Sequence, residues 1–439
     1  MVQVAFLTLF LGLTSGMQPV AVEVRGPVSA VELMLDGTAV VRLGGPPWRT
    51  KVDLGSALEP HELVARALDG KGQEIGRARQ ILNLPRPPAE VEILLERGAR
   101  GRPAGAHLTW RSLSGEKPVA VRLLLDGRPL ALDERAHAVL PDIAPEVTHI
   151  LSTEVRFSAT IVARKDVGFG GPWGTEVSTE LTAVPVRLRA GKKLPEAKDL
   201  QGWILAAGKP MPVAAVEHAP AQLVVVRDRA ARRMLARFGE TMSLDFPRPW
   251  IGDLRGFAMT LEREDQIRFV WPAARQASGL GLTSELFDSS GDFTAKDGSV
   301  LWLLQTIRPQ RNKNEANQRL ADAVAVAGLQ ALVGNRPRAV LLVLSQETQD
   351  NSRYSTDAVS RYLEAVRVPL AVWSLGERNR AALGWSGADD ISSRNKLQAA
   401  FDRLRDNLAA QRMVWIEGGH LPASLSLSPA AAEVVQLVK

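Results

Sequence analysis

Two all-β sandwiches followed by a doubly wound α/β domain is the architecture this sequence predicts, and three observations predict it. The N-terminal part repeats a strand–turn signature. Beyond about residue 200, short continuous apolar runs alternate with amphipathic helical patterns. The length of 439 residues suits about three domains at roughly 150 residues each.

The repeat comes first. Residues 28–37 (VSAVELMLDG) and 118–127 (PVAVRLLLDG) agree at Ala, Val, Leu, Leu, Asp and Gly in the same order. Each is an apolar strand ended by Asp-Gly and followed by a second strand-like run, 38–43 and 128–132. Asp-Gly between such runs signals a hairpin, because a type I′ turn needs positive φ at both central residues. Further strands are expected at 62–68 and 78–84, then at 154–163 and 176–186. Many short strands separated by Gly and Pro read as β-sandwiches. Both regions resemble the immunoglobulin-like domains of bacterial surface proteins, and the expected bounds are 19–86 and 89–190. The proline-rich stretch Pro85-Arg86-Pro87-Pro88 is a stiff junction between them.

After the polar stretch 190–198 the pattern changes. Apolar strands are expected at 223–226, 266–271, 339–344, 369–374 and 413–416. Runs of this kind, separated by helices, imply a parallel sheet covered on both faces. Leu320, Ala323, Val324, Ala327 and Ala331 recur at helical spacing, and Ala358, Tyr362 and Ala365 do so more briefly. Leu397, Ala400, Phe401, Leu404 and Leu408 form one face of a helix capped by Ser392 or Ser393. The expected α/β domain spans 200–439.

Composition removes whole classes of chemistry. There is no cysteine, so disulfides, thiolate metal sites and cysteine nucleophiles are out. The six histidines lie far apart in sequence, without the spacing of a local zinc motif. Lys and Arg number 54 against 48 Asp and Glu, a net charge of only +6. The densest basic stretch is 227–233, too short for the concentrated face that nucleic acid requires, so no nucleic-acid partner is expected. Residues 4–13 are an apolar run followed by Thr14-Ser15-Gly16, which predicts a signal peptide over 1–18. The alternative is a first buried strand, since no Lys or Arg precedes the run. No later segment has 18 consecutive apolar residues, so no transmembrane anchor is expected. The expected location is secreted, or the periplasm and cell envelope.

The α/β region resembles a von Willebrand factor type A domain over roughly 200–411. Residues 338–352 (RAVLLVLSQETQDNS) look like that family's central strand and loop, and 366–376 look like its next strand. Residues 318–323 (QRLADA) resemble its Gly-Thr-x-Leu-x-Asp-Ala segment. The resemblance implies a Rossmann-type fold and a metal-ion-dependent adhesion site, in which Asp, Ser and Thr oxygens hold a divalent ion that takes a partner's carboxylate. Carried over residue by residue, that ligand set fails. Asp228 matches the first Asp, but Ala230 and Arg232 stand where two serines belong, Gln318 where the Thr belongs, and Gln346 where the second Asp belongs. Asp322 matches an aspartate that is not a ligand, and Asp350 lies past the expected position. No metal and no cofactor is expected. Arg227, Arg229, Phe246 and Trp250 would instead supply a surface for a protein partner.

Enzyme motifs fare no better. Gly279-Leu280-Gly281-Leu282 and Gly168-Phe169-Gly170-Gly171 do not sit between a strand and a helix, as a phosphate-cradling loop must. Gly384-Trp385-Ser386-Gly387 lacks the last glycine of a nucleophile elbow and reads as a turn. The expectation is a non-enzymatic interaction or scaffolding protein with a degenerate metal site and no catalytic residues. Two alternatives stay open: a metal-dependent adhesin using non-standard ligands, and a carbohydrate-binding accessory of an envelope hydrolase, for which Trp48 and Trp173 would stack on sugars.

Overall fold

The computed structural model describes the whole chain except residues 1–2, 9, 11, 86–88, 98–102, 113–116, 126–127, 142–147, 158–161, 171–180, 196, 218, 239–258, 280–281, 310–316, 334, 347 and 377–381. The chain divides into two compact units, one of Met1–Pro85, Ala183–Ile416 and His420–Lys439, the other of Arg86–Thr182 with Glu417–Gly419.

The first strands are β1 (Gln3–Phe6), β2 (Met17–Arg25), β3 (Ala30–Leu35), β4 (Thr38–Leu43), β5 (Arg49–Asp53), β6 (His61–Leu68) and β7 (Glu74–Leu82). They form two sheets, ordered β1-β2-β5 and β4-β3-β6-β7. Alternate residues of each sheet point inward: Val20 and Val22 meet Val31, Leu33, Leu63 and Ala65 in one core. The β3–β4 turn has positive φ at both Asp36 (49°) and Gly37 (81°), as the Asp-Gly signal predicted. Asp36 does more than turn the chain, because its carboxylate accepts from Glu62 N at 2.8 Å and pairs with His61 Nδ1 at 2.7 Å.

The segment expected to be a signal peptide has a place in this sandwich. Strand β1 pairs antiparallel with β2, Val4 opposite Val24, and Val4, Phe6 and Phe10 pack against the core. Residues 3–6 thus form an edge strand, with Val4, Ala5 and Phe6 half-buried.

The second sandwich contains β8 (Ala89–Arg97), β9 (Pro103–Ser112), β10 (Ala120–Leu125), β11 (Arg128–Leu130), β12 (His137–Val139), β13 (Thr148–Arg156) and β14 (Val162–Gly170). Its sheets are ordered β12-β9-β8 and β11-β10-β13-β14. Counted from its own first strand, this is the order of the first sandwich, so the short sequence repeat marks a full structural repeat of seven strands. Three strands facing four is the architecture shared by immunoglobulin and fibronectin type III domains. The expected strand 154–163 is in fact the end of β13 and the start of β14, which pair antiparallel. Asp126 and Gly127 lie outside the described residues, but Leu125 pairs with Arg128 across them.

The rest of the chain is two structures, one inserted in the other. Strands β15 (Leu181–Leu188), β16 (Ile204–Ala206), β17 (Lys209–Pro210) and β18 (Val213–Glu217) precede the α/β domain. That domain has β19 (Gln222–Arg227), β20 (Gln266–Gly279), β21 (Leu282–Ser289), β22 (Arg338–Leu344), β23 (Leu370–Ser374) and β24 (Asp389–Asp390). Its helices are α1 (Ala231–Leu235), α2 (Val300–Thr306), α3 (Leu320–Ala331), α4 (Thr356–Ala365) and α5 (Arg394–Ala409). The chain then returns as β25 (Gln411–Glu417), β26 (Leu425–Leu427) and β27 (Val435–Leu437). These complete two small sheets, β18-β25-β15-β27 and β17-β16-β26, around Val186, Ile204, Val213, Ile416 and Leu425.

Three expectations are corrected here. Residues 413–416 do not join the parallel sheet; β25 pairs antiparallel with β18, Glu217 opposite Met413. Residues 181–186 belong to this third β structure rather than to the second sandwich. The region 200–439 is therefore an α/β domain flanked by β strands, not one α/β unit throughout. An apolar run of four residues carries no information about which sheet it joins, so only the pairing could decide.

The α/β sheet is ordered β21-β20-β19-β22-β23-β24. Strands β20, β19, β22, β23 and β24 are parallel, and β21 returns antiparallel at the edge. Successive residues of β19 feed opposite cores: Leu223 and Val225 pack with α1, α2 and α5, while Val224 and Val226 pack with α3 and α4. That two-sided burial is why β19 and β22 read as unbroken apolar runs. Ser355 caps α4 and Ser393 caps α5. Gly328 lets α3 approach α4, since a Cβ there would lie 2.2 Å from Leu363 Cδ2. Leu13, Leu58 and Leu84 of the first sandwich pack on this same α3–α4 side, and the Tyr362 hydroxyl donates to Asn83 O at 3.0 Å.

Candidate binding site at the sheet switch point

Strand order reverses direction between β19 and β22, and the crevice at the carboxyl ends of two such strands is where α/β sheets bind ligands. Asp228 follows β19 directly. Its side chain sits in that crevice and the residue is 1% exposed. One carboxylate oxygen accepts from Ser345 N at 3.1 Å, from Thr348 Oγ1 at 2.6 Å, and from Ser345 Oγ. The other accepts from Ala230 N and Gln318 Nε2, each at 3.1 Å. Gln318 also accepts from Arg229 N at 2.9 Å, so its amide ties the turn after β19 to the segment before α3.

Two of the expected site residues thus meet, Asp228 and Gln318, and Ala230 joins them through its backbone. Gln346 does not. It is exposed, and its side chain lies against Gly376. The residue facing Asp228 from β22 is its neighbour Ser345, helped by Thr348. Register explains the offset: Arg227 pairs with Val343, and Asp228 N donates to Val343 O at 2.9 Å, which leaves Ser345 rather than Gln346 beside the carboxylate. Only that parallel register, invisible in one sequence, could have pointed to Ser345.

The arginines also separate. Arg227 is 5% exposed and is no part of a surface. Its guanidinium donates to Ile307 O at 2.8 Å and to Leu304 O, satisfying carbonyls at the end of α2, and it lies 5.9 Å from both the Phe269 and Trp271 ring centres. Burial pushes its pKa down to about 9, with Arg232 and Arg308 adding in the same direction. Arg229 is exposed and Arg232, on α1, is half-buried. Phe246 and Trp250 lie outside the described residues. A helix, α1, begins right after the Asp228 turn.

The two other aspartates near the site have structural work. Asp350 accepts from Leu320 N at 2.8 Å and Ala321 N at 3.2 Å, capping α3 from a different segment because Arg319, at the N-cap, provides no side-chain bond. Asp322 is buried and pairs with Arg319 at 2.6 Å, while accepting from Arg353 N and Tyr354 N at 3.0 and 2.9 Å.

A divalent ion fits this donor set poorly. Among the described residues Asp228 supplies the single carboxylate, and its oxygens accept from the amide NH2 of Gln318 and the hydroxyl of Thr348 as well as from backbone N–H groups. Ala230 and Arg232 bring no oxygen side chain for the shell that Mg²⁺ requires. Among the described residues, no group of three His, Asp or Glu is placed to hold a metal. As for the sugar-stacking alternative, Trp48 packs against the core of the first sandwich, and Trp173 is outside the described residues.

No family model and no curated protein matches the chain. Among solved structures, it is similar to the fibronectin(III)-like modules of Clostridium thermocellum CbhA, at 16% identity over 38% of this chain and 93% of that one, with a TM-score of 0.16. It is similar to the central fibronectin-III array of RIM-binding protein, at 10% identity over 44% and 80%, TM-score 0.24. It is also similar to proximal thread matrix protein 1 from the mussel byssus, at 13% identity over 48% and 49%, TM-score 0.28. Likenesses this low decide neither fold nor function, and the β-sandwich assignment stands on the strand order above.

Proposed function

We propose that this chain is a non-enzymatic interaction or scaffolding protein of the bacterial cell envelope, built on a von Willebrand A-like α/β domain whose metal site is degenerate. The observation that carries the reading is the Asp228 carboxylate, which neutral donors from Ser345, Thr348, Gln318 and Ala230 satisfy where the family would place an ion. The paired β-sandwiches suit a spacer or docking role, and placement in the envelope rests on the apolar run at 4–13. Calorimetric titration of the full chain with Mg²⁺ and Mn²⁺ tests the metal-free part, with no saturable heat expected. Micromolar binding lost in Asp228→Asn would sink it. Cell fractionation tests the location, and recovery only from the cytoplasm would refute it.

A second reading has one observation in its favour. The hydroxyl oxygens of Ser345 and Thr348 stand beside Asp228, so a metal-dependent adhesin with non-standard ligands would draw on them. The same titration separates the two readings, since only the adhesin loses its heat in Thr348→Val.

A further inference from the structure

Both tyrosines of the chain, Tyr354 and Tyr362, meet the first sandwich. Tyr362 is fully buried on α4 and donates to Asn83 O. Tyr354 is half-buried just before α4 and donates to Leu13 O at 3.1 Å. Leu13 belongs to the segment between β1 and β2, and its side chain packs on the α3–α4 side. The sandwich grips the next residue: Thr14 N donates to Asn83 Oδ1 and Asn83 Nδ2 donates to Thr14 O, each at 2.8 Å. Gly16 N donates to Gly55 O at 2.6 Å and Leu54 N to Gly16 O at 3.0 Å, which fixes the far end of the segment at the loop after β5. Residues 13–16 are therefore held by the sandwich on one side and by the α/β domain on the other. Asn83 is central to this arrangement. It is 3% exposed, and its amide also donates to Glu59 O at 2.6 Å. Without Thr14 its Oδ1 and one N–H would be buried without those bonds, a cost that opening the junction to water relieves. Burial holds the phenols of both tyrosines above their ordinary range.

We infer that residues 13–16 are a strap that fastens the first sandwich to the α/β domain, and that removal of the N-terminal segment, as cleavage of the signal peptide expected over 1–18 would bring about, unfastens it. The inference goes beyond the scaffolding reading and is independent of the metal site. It makes the seat of one sandwich on the α/β domain a property that processing of the chain changes. Leu58, Leu84 and the Tyr362–Asn83 bond lie outside the strap and stay in place when it goes. Tyr354 has its bond to Leu13 O in the strap itself, so it reads the strap most directly.

The test is nitration by tetranitromethane, mapped by mass spectrometry. With two tyrosines and no cysteine, the chain offers the reagent two phenols and no thiol. In the full chain both phenols are expected to react slowly, and in a chain beginning at Pro19 Tyr354 is expected to react about tenfold or more faster. The shortened chain also lacks β1 and its pairing with β2, so two full-length variants read the strap alone. Asn83→Gly keeps the left-handed backbone, φ 58°, and removes the amide. Thr14→Pro removes the N–H that Asn83 Oδ1 accepts. Each is expected to speed nitration of Tyr354 by about threefold or more. Asp69→Ala, which breaks the turn between β6 and β7 in the same sandwich, is expected to react as the parent does. Equal rates in the parent and both strap variants overturn the inference. So does an equal gain in Asp69→Ala, which would mark general loosening of the sandwich, and so does rapid nitration of Tyr354 in the parent. None of these outcomes touches the Asp228 reading, which the Mg²⁺ titration decides.

Discussion

Asp228 and Asp322 are both buried at the carboxyl end of the α/β sheet, 1% and 3% exposed, yet they are stabilised in different ways. Asp322 has a cation: Arg319 reaches it at 2.6 Å, and two backbone N–H groups complete its shell. Among the described residues, the hydrogen bonds to Asp228 come from dipoles: two hydroxyls, an amide and two backbone N–H groups. An anion moved from water into a protein needs either an opposite charge or several oriented donors. Here the donors of two loops do that job, and in doing so they bind the turn after β19, the turn after β22 and the approach to α3 into one piece. The carboxylate has become a clamp.

That comparison yields graded predictions. The largest effect is expected at the charged pair: Asp322→Ala takes a carboxylate away from the nearly buried Arg319 and should cost about 4 kcal/mol in urea unfolding. An unchanged midpoint would show that Arg319 escapes to water and that the two aspartates do not differ. Asp228→Ala strands several buried donors and should cost about 3 kcal/mol by the same measurement. If it stabilises the protein instead, the carboxylate is strained and awaits a cation. Thr348→Val removes one donor of five and should cost about 1 kcal/mol. Asp350→Ala should cost about 1 kcal/mol or less, and its signature is local: faster amide exchange at Leu320 and Ala321, with Asp228's neighbours unaffected.

Much of the fold was legible where a local rule fixes the structure. The apolar strands β19 and β22 announce two-sided burial, Asp36-Gly37 announces its turn, and Ser393 announces α5. What escaped depends on partners distant in sequence. The apolar run 413–416 looks the same in a parallel sheet as in β25, and only pairing with β18 decides. The apolar run at the N-terminus has the composition of a signal peptide and of a strand alike, and its structural counterpart in the repeat, β8, is plainly a strand. Short α1 and α2 lack the turns that make periodicity visible. At the switch point, the resemblance named Asp228 and Gln318, which hydrogen-bond to each other, but Ser345 needed the register between β19 and β22. Arg227 looked like surface because arginine usually is, and only the packing of Phe269, Trp271 and α2 over it explains its burial.

The central claim is that hydrogen bonds, not a cation, hold the switch point together. Anything that binds the folded state alone raises its stability, so the unfolding midpoint of the full chain in excess Mg²⁺ against EDTA reads the claim directly. The account predicts superimposable curves, for the parent and for Asp228→Asn alike. A midpoint raised by Mg²⁺ in the parent and not in Asp228→Asn would contradict it.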